Sequence, residues 1–390
     1  MPEALHRRSI AALGDVMDPD CFGGAPNQFY KAAVERGFAR EAWRVNVKRL
    51  RRARLSWNAG RVLRGRRPGG FQYSSAGRMA ALACADRGLL STEVISFHQI
   101  VPPFGEVEAA GGTLNFYIDA TYRQLFPTYG YDQRLSKSAV RDALEYELEA
   151  FHSASRIVAW QTWTLRSLID DYGLPAEKCS VILPAPNYPG HPGVRPKPVG
   201  QAGKDRPFVI GFIGKDWRRK GLEIAVMAAR VLRKMGWKVK VQAMGFPPGE
   251  CPFRDEVECH GFVGFDDKRL QFGPFLHGCD VGCLFSNAEA MGSAILEFLG
   301  VGVPVAGFTV NGLNYVLPAE AGFRFQPESG PEQIAAAFDD YLRDESKQEA
   351  FRANAIDFSS LLTWGRCVEE FEELWRTGRV DSPFRLWTGP

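Results

Sequence analysis

The chain has 390 residues, which exceeds one ordinary hydrophobic core and favours two domains of about 150 to 200 residues each. Apolar residues make up 45% and charged residues 24%, the composition of an ordinary globular protein rather than of a disordered or fibrous chain. No apolar run reaches the roughly 18 residues needed to cross a bilayer, so the composition argues against a helical membrane protein.

The eight cysteines predict free thiols rather than disulfides or a metal centre. They are scattered along the chain and form no CxxC pair. Cys279 with Cys283, and Cys259 beside His260, come nearest to zinc-ligand spacing, but we expect no metal there. The N-terminal segment is basic without a long apolar stretch, so we expect no signal peptide and a cytoplasmic location.

The first half of the chain alternates between strand and helix patterns. A loop containing Gly23 and Gly24 joins the first predicted strand to a helix. This rhythm is typical of a doubly wound α/β domain, which we expect to span residues 1–190. The main predicted elements are a strand at 9–16, strands at 92–100 and 113–121, and a helix at 135–154.

Residues 36–67 concentrate positive charge. They contain twelve lysine and arginine residues. Near-helical spacing of Trp43, Val47, Leu50, Arg54 and Trp57 predicts that part of the segment is a basic amphipathic helix. The segment is consistent with a solvated surface, with a site for an anionic acceptor or acidic lipid, or with nucleic-acid binding. The chain has no zinc-finger, RNP or helix-turn-helix signature, so we expect no nucleic-acid partner.

Residues 184–207 are rich in proline and glycine and predict a linker between domains. The α/β rhythm then resumes, and we expect a second Rossmann-like domain over 200–363. The tail at 364–390 begins with an amphipathic helix that we expect to pack back on the first domain. Two such domains predict a cleft between them, with ligands at the carboxyl ends of the strands.

The loop after the first strand of the second domain is basic. Lys215, Arg218, Arg219 and Lys220 lie between that strand and a predicted helix N-terminus, a setting that favours an anion such as phosphate, although a solvated turn has the same pattern. The chain has neither a GxxxxGK[ST] loop nor GxGxxG after a first strand. A P-loop NTPase and a nicotinamide dehydrogenase are therefore poorly supported.

A predicted strand–loop–helix segment carries two acids, Glu289 in the loop and Glu297 on the helix. Eight helical steps correspond to roughly 12 Å of rise, more than the roughly 5 to 9.5 Å that separates a glycosidase acid–base pair. We therefore assign them separate tasks, because carboxylates also accept hydrogen bonds from ribose and sugar hydroxyls. The intervening residues 290–293 offer N–H groups for a diphosphate. Ribose, diphosphate and a second polyol together describe a nucleotide sugar.

Three segments resemble retaining glycosyltransferases of family 4, also called group 1. The sequence SNAEAMGSAILEFLGVGVPVAGFTVNG resembles the EX7E region of that family, and GFIGKDWRRKG resembles its G-R-x-x-x-x-K-G loop. The sequence SRIVAWQTWTLRSLIDDYGLPAEKCSVILPAPN resembles the segment that leads to the interdomain linker. The resemblance covers most of residues 150–330 and implies the GT-B fold, two Rossmann-like domains facing a cleft.

The resemblance also implies roles for individual residues. Glu289 would contact the transferred sugar, and Glu297 would bind the nucleotide ribose. Lys215, which stands where the family has arginine, and Lys220 would neutralise the diphosphate as catalytic cations. The other donor-binding positions implied by the match are Gly214, Arg219, Val263, Met291, Gly292, Ser293, Gly23 and Gly24.

The first domain departs from the family at one position. Relatives often carry a histidine near the sugar, whereas this chain has Ala120 between Asp119 and Thr121. Asp119 and His98 are therefore the candidates for a catalytic role there, with a buried structural role for His98 equally open. The chain's DxD sequence, at residues 18–20, falls in the glycine loop, and the resemblance implies no metal.

The expected activity is transfer of a hexose-type sugar from a UDP- or GDP-linked donor to a saccharide, lipid-linked or other hydroxyl acceptor, with retention of configuration and without a cofactor. The alternative is a noncatalytic nucleotide-sugar-binding protein on the same fold. In either case residues 36–67 would allow peripheral contact with an anionic membrane, at the inner face.

Overall fold

The structure is a computed structural model that describes residues 7–188, 200–264 and 271–383. The middle of the predicted linker, residues 189–199, lies outside the described residues. The chain divides into two compact units. One comprises Met1–Pro184 with Trp364–Ser382, and the other comprises Ala185–Thr363 with Pro383–Pro390.

The first unit is built on a six-stranded parallel sheet. Its spatial order is β2-β1-β3-β4-β5-β6, so the chain reverses direction across the sheet between β1 and β3. The strands are Arg8–Ala11 (β1), Glu41–Ala42 (β2), Glu93–Ser96 (β3), Thr113–Ile118 (β4), Arg156–Ala159 (β5) and Cys179–Val181 (β6). The helices are Ala25–Glu35 (α1), Val47–Leu63 (α2), Ser75–Cys84 (α3), Phe104–Ala109 (α4), Tyr122–Tyr129 (α5), Lys137–Ser153 (α6) and Thr162–Asp170 (α7).

The basic segment forms helix α2, but that helix begins later than the sequence pattern indicates. The Asn46 side chain accepts a hydrogen bond from the Arg49 N–H and so caps the helix. Trp43, which the pattern places on the helical stripe, lies before this cap and is buried. The prediction that Trp43 belongs to the helix is therefore wrong, because an asparagine cap outweighs the apolar spacing.

The second unit is also built on a six-stranded parallel sheet. Its order is β12-β11-β10-β7-β8-β9, with a reversal between β7 and β10. The strands are Phe208–Ile213 (β7), Val239–Met244 (β8), Val257–Cys259 (β9), Val281–Leu284 (β10), Val305–Phe308 (β11) and Gly322–Phe325 (β12). The helices are Leu222–Lys234 (α8), Gly273–Gly278 (α9), Ser293–Leu299 (α10), Pro331–Arg343 (α11) and Glu345–Leu361 (α12).

The last helix, Trp364–Thr377 (α13), belongs to the first unit. The ring centroid of Phe371 lies 4.9 Å from those of both Phe29 and Tyr117, which are buried in that unit. Arg36 on α1 pairs with Glu369 and Glu372 on α13, each at 2.8 Å. Aromatic packing therefore fixes this helix, and the half-exposed ion pairs add little.

Within the described residues, no helix is long and apolar enough to cross a membrane. The eight cysteines, all of which lie in the described ranges, form no disulfide. The same ranges contain no group of three or more histidine, cysteine, aspartate and glutamate side chains placed to hold a metal ion.

Candidate functional site

The loops that follow β7 and β10 meet at the point where the second sheet reverses its strand order. Ligands of doubly wound sheets bind at such a point, outside the carboxyl ends of the strands. The main-chain N–H of Asn287, after β10, donates to the carbonyl of Arg219, after β7, at 3.1 Å. The two loops predicted to bind a donor are thus joined in one site.

Glu289 is the centre of this pair of loops. Its carboxylate Oε2 accepts hydrogen bonds from Lys220 Nζ at 3.0 Å and from Arg219 Nη1 at 3.3 Å. Glu289 is only 8% exposed, and the Lys220 side chain is 16% exposed, so the pair is largely shielded from solvent. The three charges sum to +1, which leaves the cluster attractive to an anion.

Close approach of the two loops depends on glycine. Gly221 has a φ of 77°, and a Cβ there would lie 2.1 Å from the carbonyl oxygen of Phe285 at the end of β10. A Cβ on Gly214 would lie 2.4 Å from Cδ of Lys220. Both glycines therefore hold the Lys220 side chain against the neighbouring strand, where it reaches Glu289.

Lys215 occupies a different position from Lys220. Its side chain is exposed, and Nζ lies 5.1 Å from the ring centroid of Phe262, a cation–π contact. Phe262 is 56% exposed, whereas the adjacent Val263 is buried. The contact joins the loop after β7 to residues that follow β9, and that Val263 meets the donor stays a prediction.

Met291 and Gly292 lie in the loop before α10, and Ser293 is the first residue of that helix. Gly292 has a φ of 75°, and a Cβ there would lie 2.5 Å from Leu313. The N–H of Gly312 donates to the carbonyl of Glu289 at 3.1 Å, which fixes the loop from its other side. That these three residues turn their N–H groups to a diphosphate stays a prediction.

Glu297 is buried on α10 and has main-chain partners. One carboxylate oxygen accepts the N–H of Asn187 at 2.9 Å, and the other accepts the N–H of Tyr188 at 3.1 Å. The Glu297 carboxylate thus anchors the segment that precedes β7 through two of its hydrogen bonds. The predicted contact with a ribose would use the remaining lone pairs of the same two oxygens.

The first unit holds a cavity of about 520 Å³, a volume suited to a drug-sized ligand. It lies at the reversal of the first sheet, where residues following β1 and β3 meet. His98 and Asp119, both predicted as site residues, line it together. The wall is otherwise mainly apolar and aromatic, formed among others by Leu13, Phe22, Leu50, Phe71, Tyr73 and Tyr122.

His98 lies in this wall as a neutral hydrogen-bond donor. Its Nδ1 accepts the N–H of Leu13 at 3.1 Å, so the ring proton resides on Nε2. Burial lowers the pKa of His98 to about 4, which keeps the ring uncharged at neutral pH. The ring packs edge-on against Phe22 at 4.4 Å. His98 is thereby arranged to donate a hydrogen bond from its Nε2–H rather than to act as a base.

The glycine loop shapes one side of the cavity. Gly23 and Gly24 have φ values of 70° and 103°, and Phe22 has an uncommon φ of 48° for a residue with a side chain. The loop thereby presents the Phe22 ring, which is 38% exposed, to the cavity. A strained non-glycine backbone beside a cavity is a frequent property of ligand sites.

The main chain of Asp119 is fixed by side-chain hydrogen bonds. Its carbonyl accepts hydrogen bonds from the Gln161 side-chain amide at 3.1 Å and from the Thr164 hydroxyl. The side chain, which is half-buried, belongs to the cavity wall. The strand end is thus fixed, and a catalytic role for the Asp119 carboxylate stays a prediction.

Sequence reasoning did not identify the other cavity residues. The cavity is also lined by Arg51 and Arg54 on α2, by Tyr129 at the end of α5 and by Tyr131 just after it. The sequence shows that the segment is basic, but it does not show which of the basic side chains face the cavity. The aromatic sequence TYGY, residues 128–131, was the one local signal that could have indicated a ligand surface.

Comparison with known proteins agrees with this architecture. Residues 207–344, which include the Glu289 site, match the family model Glycosyl transferases group 1. A D-inositol 3-phosphate glycosyltransferase from Thermobispora bispora is 22% identical over 240 residues, covering 57% of this chain and 56% of the relative. The chain thus spans about half the length of this curated relative.

Solved structures resemble the chain over nearly all of its length. HepE from Anabaena, in complex with UDP and glucose, has a TM-score of 0.60 at 17% identity, covering 95% of this chain and 100% of that one. Sucrose-phosphate synthase from Thermosynechococcus elongatus has a TM-score of 0.61 at 14% identity, covering 95% and 98%. The predicted fold of two Rossmann-like domains, GT-B, is confirmed. The family match concerns the unit that holds the Glu289 site, and the solved structures show the fold.

Proposed function

We propose that the protein is a retaining glycosyltransferase that moves a hexose-type sugar from a nucleotide diphosphate donor, UDP- or GDP-linked, to a hydroxyl acceptor. The observation that carries the proposal is the shielded contact of Glu289 with Lys220 and Arg219 at the reversal of the second sheet. Family 4 membership and retention rest on the EX7E resemblance, and the family match over 207–344 supports the assignment of the donor to this unit.

In this proposal Lys220 and Arg219 change partners when the donor binds. The donor diphosphate takes Lys220 and Arg219 as its partners, because two negative charges compete effectively with one carboxylate. Glu289 is then released to accept hydrogen bonds from the hydroxyls of the transferred sugar. Glu297 binds the ribose, Lys215 joins the diphosphate cations, and Phe262 supports the base. We propose that transfer needs no cofactor and no added metal ion.

The transfer breaks the bond between the anomeric carbon and the diphosphate oxygen and forms one from that carbon to the acceptor oxygen. The acceptor attacks from the face that the diphosphate leaves, through an oxocarbenium-like transition state, and its proton passes to the leaving diphosphate oxygen. The protein's contribution is then electrostatic, since Lys220 and Arg219 meet negative charge as it develops. His98 donates a hydrogen bond and Asp119 accepts one on the acceptor side.

Donor binding is tested by thermal shift with UDP, GDP, ADP and their sugars. We expect the nucleotides of one base to raise the melting temperature of the protein. The rise should increase with the ratio of the ligand concentration to its Kd. Turnover is measured as nucleotide release from the stabilising sugar donor, and NMR of a glycoside product would show a retained anomeric configuration. If no nucleotide stabilises the protein, the donor assignment fails. Stabilisation without turnover, with any acceptor offered, would favour the noncatalytic binding protein.

We also propose peripheral contact with an anionic membrane through residues 36–67. Helix α2 exposes Leu55, Val62 and Leu63 beside basic side chains, a combination found in interfacial helices. Each basic residue near such a surface contributes about 1 kcal/mol. Arg49→Ala/Arg52→Ala should therefore weaken co-sedimentation with phosphatidylserine vesicles by roughly 30-fold. Equal co-sedimentation of both proteins, or equal binding to neutral phosphatidylcholine vesicles, would contradict the contact.

A further inference from the structure

The cavity of the first unit has a wall that suits an apolar body better than a free saccharide. Its volume is about 520 Å³, and most of the wall is aliphatic or aromatic. Phe71, Tyr73 and Tyr122 are buried, so their rings are fixed surfaces rather than mobile side chains. A saccharide requires polar partners over most of its surface, whereas the cavity wall here is mostly apolar, with polar groups such as Gln72 and Gln99 interspersed.

Two arginines stand at the rim on one side. Arg51 and Arg54 lie one helical turn apart on α2, and both are exposed while also lining the cavity. Neither has an ion-pair partner in the part of the chain that the structure describes. The sequence of α2, Val47–Leu63, contains six basic residues and no acid. Two unpaired guanidinium groups at this spacing form a site for a doubly charged oxyanion.

The cavity wall also contains two polar groups that can bind a ligand. The hydroxyl of Tyr122 and the Nε2–H of His98 have no hydrogen-bond partner among the described residues. Tyr122 is 3% exposed and lines the cavity, so its hydroxyl opens onto the cavity. Polar atoms in such a wall are satisfied by water or by a ligand. They provide two fixed points at which an acceptor hydroxyl can be oriented.

We propose that the acceptor is an amphipathic phosphate: a molecule whose apolar body fills this cavity, whose phosphate group binds Arg51 and Arg54, and whose hydroxyl meets Tyr122 and His98. The inference names the acceptor class of the proposed glycosyltransferase and so rests on that function. The apolar cavity wall, the two arginines and the two polar groups in the wall each select one part of such a molecule. A sugar without an apolar or anionic part would leave most of these features unused.

Binding of dodecyl phosphate and 1-naphthyl phosphate, below any micelle concentration and without nucleotide, tests this assignment by calorimetry. We expect at least one of them to bind at least roughly tenfold more tightly than inorganic phosphate and than neutral dodecyl maltoside. Binding of the dodecyl probe would indicate an acyl- or isoprenoid-like body, and binding of the naphthyl probe an aromatic one. If neither exceeds the two reference ligands, the proposal is overturned.

The arginines are tested by Arg51→Ala/Arg54→Ala with Arg49→Ala/Arg52→Ala as its matched control. All four side chains are exposed on one helix, so neither double variant should disturb folding, but only the first pair lines the cavity. We expect the first variant to lose roughly tenfold or more in affinity for the phosphate probe and the control to bind as the parent does. Equal losses would mean a nonspecific charge effect and would overturn the assignment. The readout needs no donor, so failure of the nucleotide panel would remove the transferase while leaving this result interpretable.

Discussion

Replacing Glu289 by glutamine is expected to lower the rate of nucleotide release from the sugar donor by about 10²- to 10³-fold, the effect of losing one preorganised electrostatic contact. The physical reason is specific to this site. The carboxylate both accepts from Lys220 and Arg219 and is proposed to hold the sugar hydroxyls once the diphosphate takes those cations. An amide has the same shape but one acceptor oxygen and no charge.

Folding must be separated from catalysis in this variant. Glu289→Gln leaves Lys220 without its carboxylate partner in a setting that is largely shielded, so some loss of stability is expected. Binding of UDP or GDP by thermal shift provides the second measurement, because it reports the cations and the ribose contact. We expect nucleotide affinity to be kept or increased, since the diphosphate no longer competes with a carboxylate for Lys220.

Asp216→Asn is the matched control. Asp216 lies in the same loop and contacts the same Arg219, at 3.8 Å, but its side chain is 57% exposed. An exposed pair of this kind contributes little, so this variant should retain most of the rate. If Glu289→Gln loses no more than Asp216→Asn, or if it loses nucleotide binding and turnover together, Glu289 would be a structural residue only.

The sequence predicts the fold well because the periodicity in both halves is strong. Nearly continuous apolar runs such as FVIGFI give buried parallel strands, and Phe208–Ile213 lies at the centre of its sheet. Where the pattern fails, at Trp43, one capping asparagine decides the start of the helix instead.

The site is predictable only in part, because which charged side chains form pairs depends on the tertiary structure. The sequence brings Lys220 and Glu289 into loops that follow strands, but it does not reveal that β7 and β10 are neighbours or that the two charges meet. The main-chain partners of Glu297 come from residues 187 and 188, far away in sequence. In the first unit, Arg51 and Arg54 line the cavity because of the way α2 packs on its neighbours. The positive charge of α2 is spread over the helix and does not indicate which face packs.

A second large effect is expected from Glu147, a carboxyl buried directly behind the cavity wall. Its two oxygens accept the N–H of Tyr122, and the hydroxyl of Tyr172 donates to it. These bonds and the charge of Arg123 favour the ionised form, but burial outweighs them and raises the pKa of Glu147 from 4.5 to about 8. The native state therefore holds a proton that an unfolded chain has already released at neutral pH.

The direction of the resulting pH dependence follows from proton counting. Below about pH 4.5 both states carry the proton, so Glu147 makes no contribution to the slope. Between pH 4.5 and about 8 the native state binds more protons than the unfolded state, so the free energy of unfolding falls as the pH rises. The slope from this one group is at most about 1.4 kcal/mol per pH unit. Above pH 8 both states are ionised and the contribution to the slope vanishes.

Glu147→Gln should remove this slope while preserving the contacts, because an amide oxygen can still accept from Tyr122 and the amide nitrogen can donate to the Tyr172 oxygen. We expect urea unfolding curves of the variant, recorded from pH 5 to pH 8.5, to lose less stability with rising pH than those of the parent. Glu149→Gln is the control, since Glu149 is exposed on the same helix. Parallel pH profiles for the parent and Glu147→Gln would show that Glu147 is ionised in the native protein, and that the hydrogen bonds from Tyr122 and Tyr172 outweigh its burial.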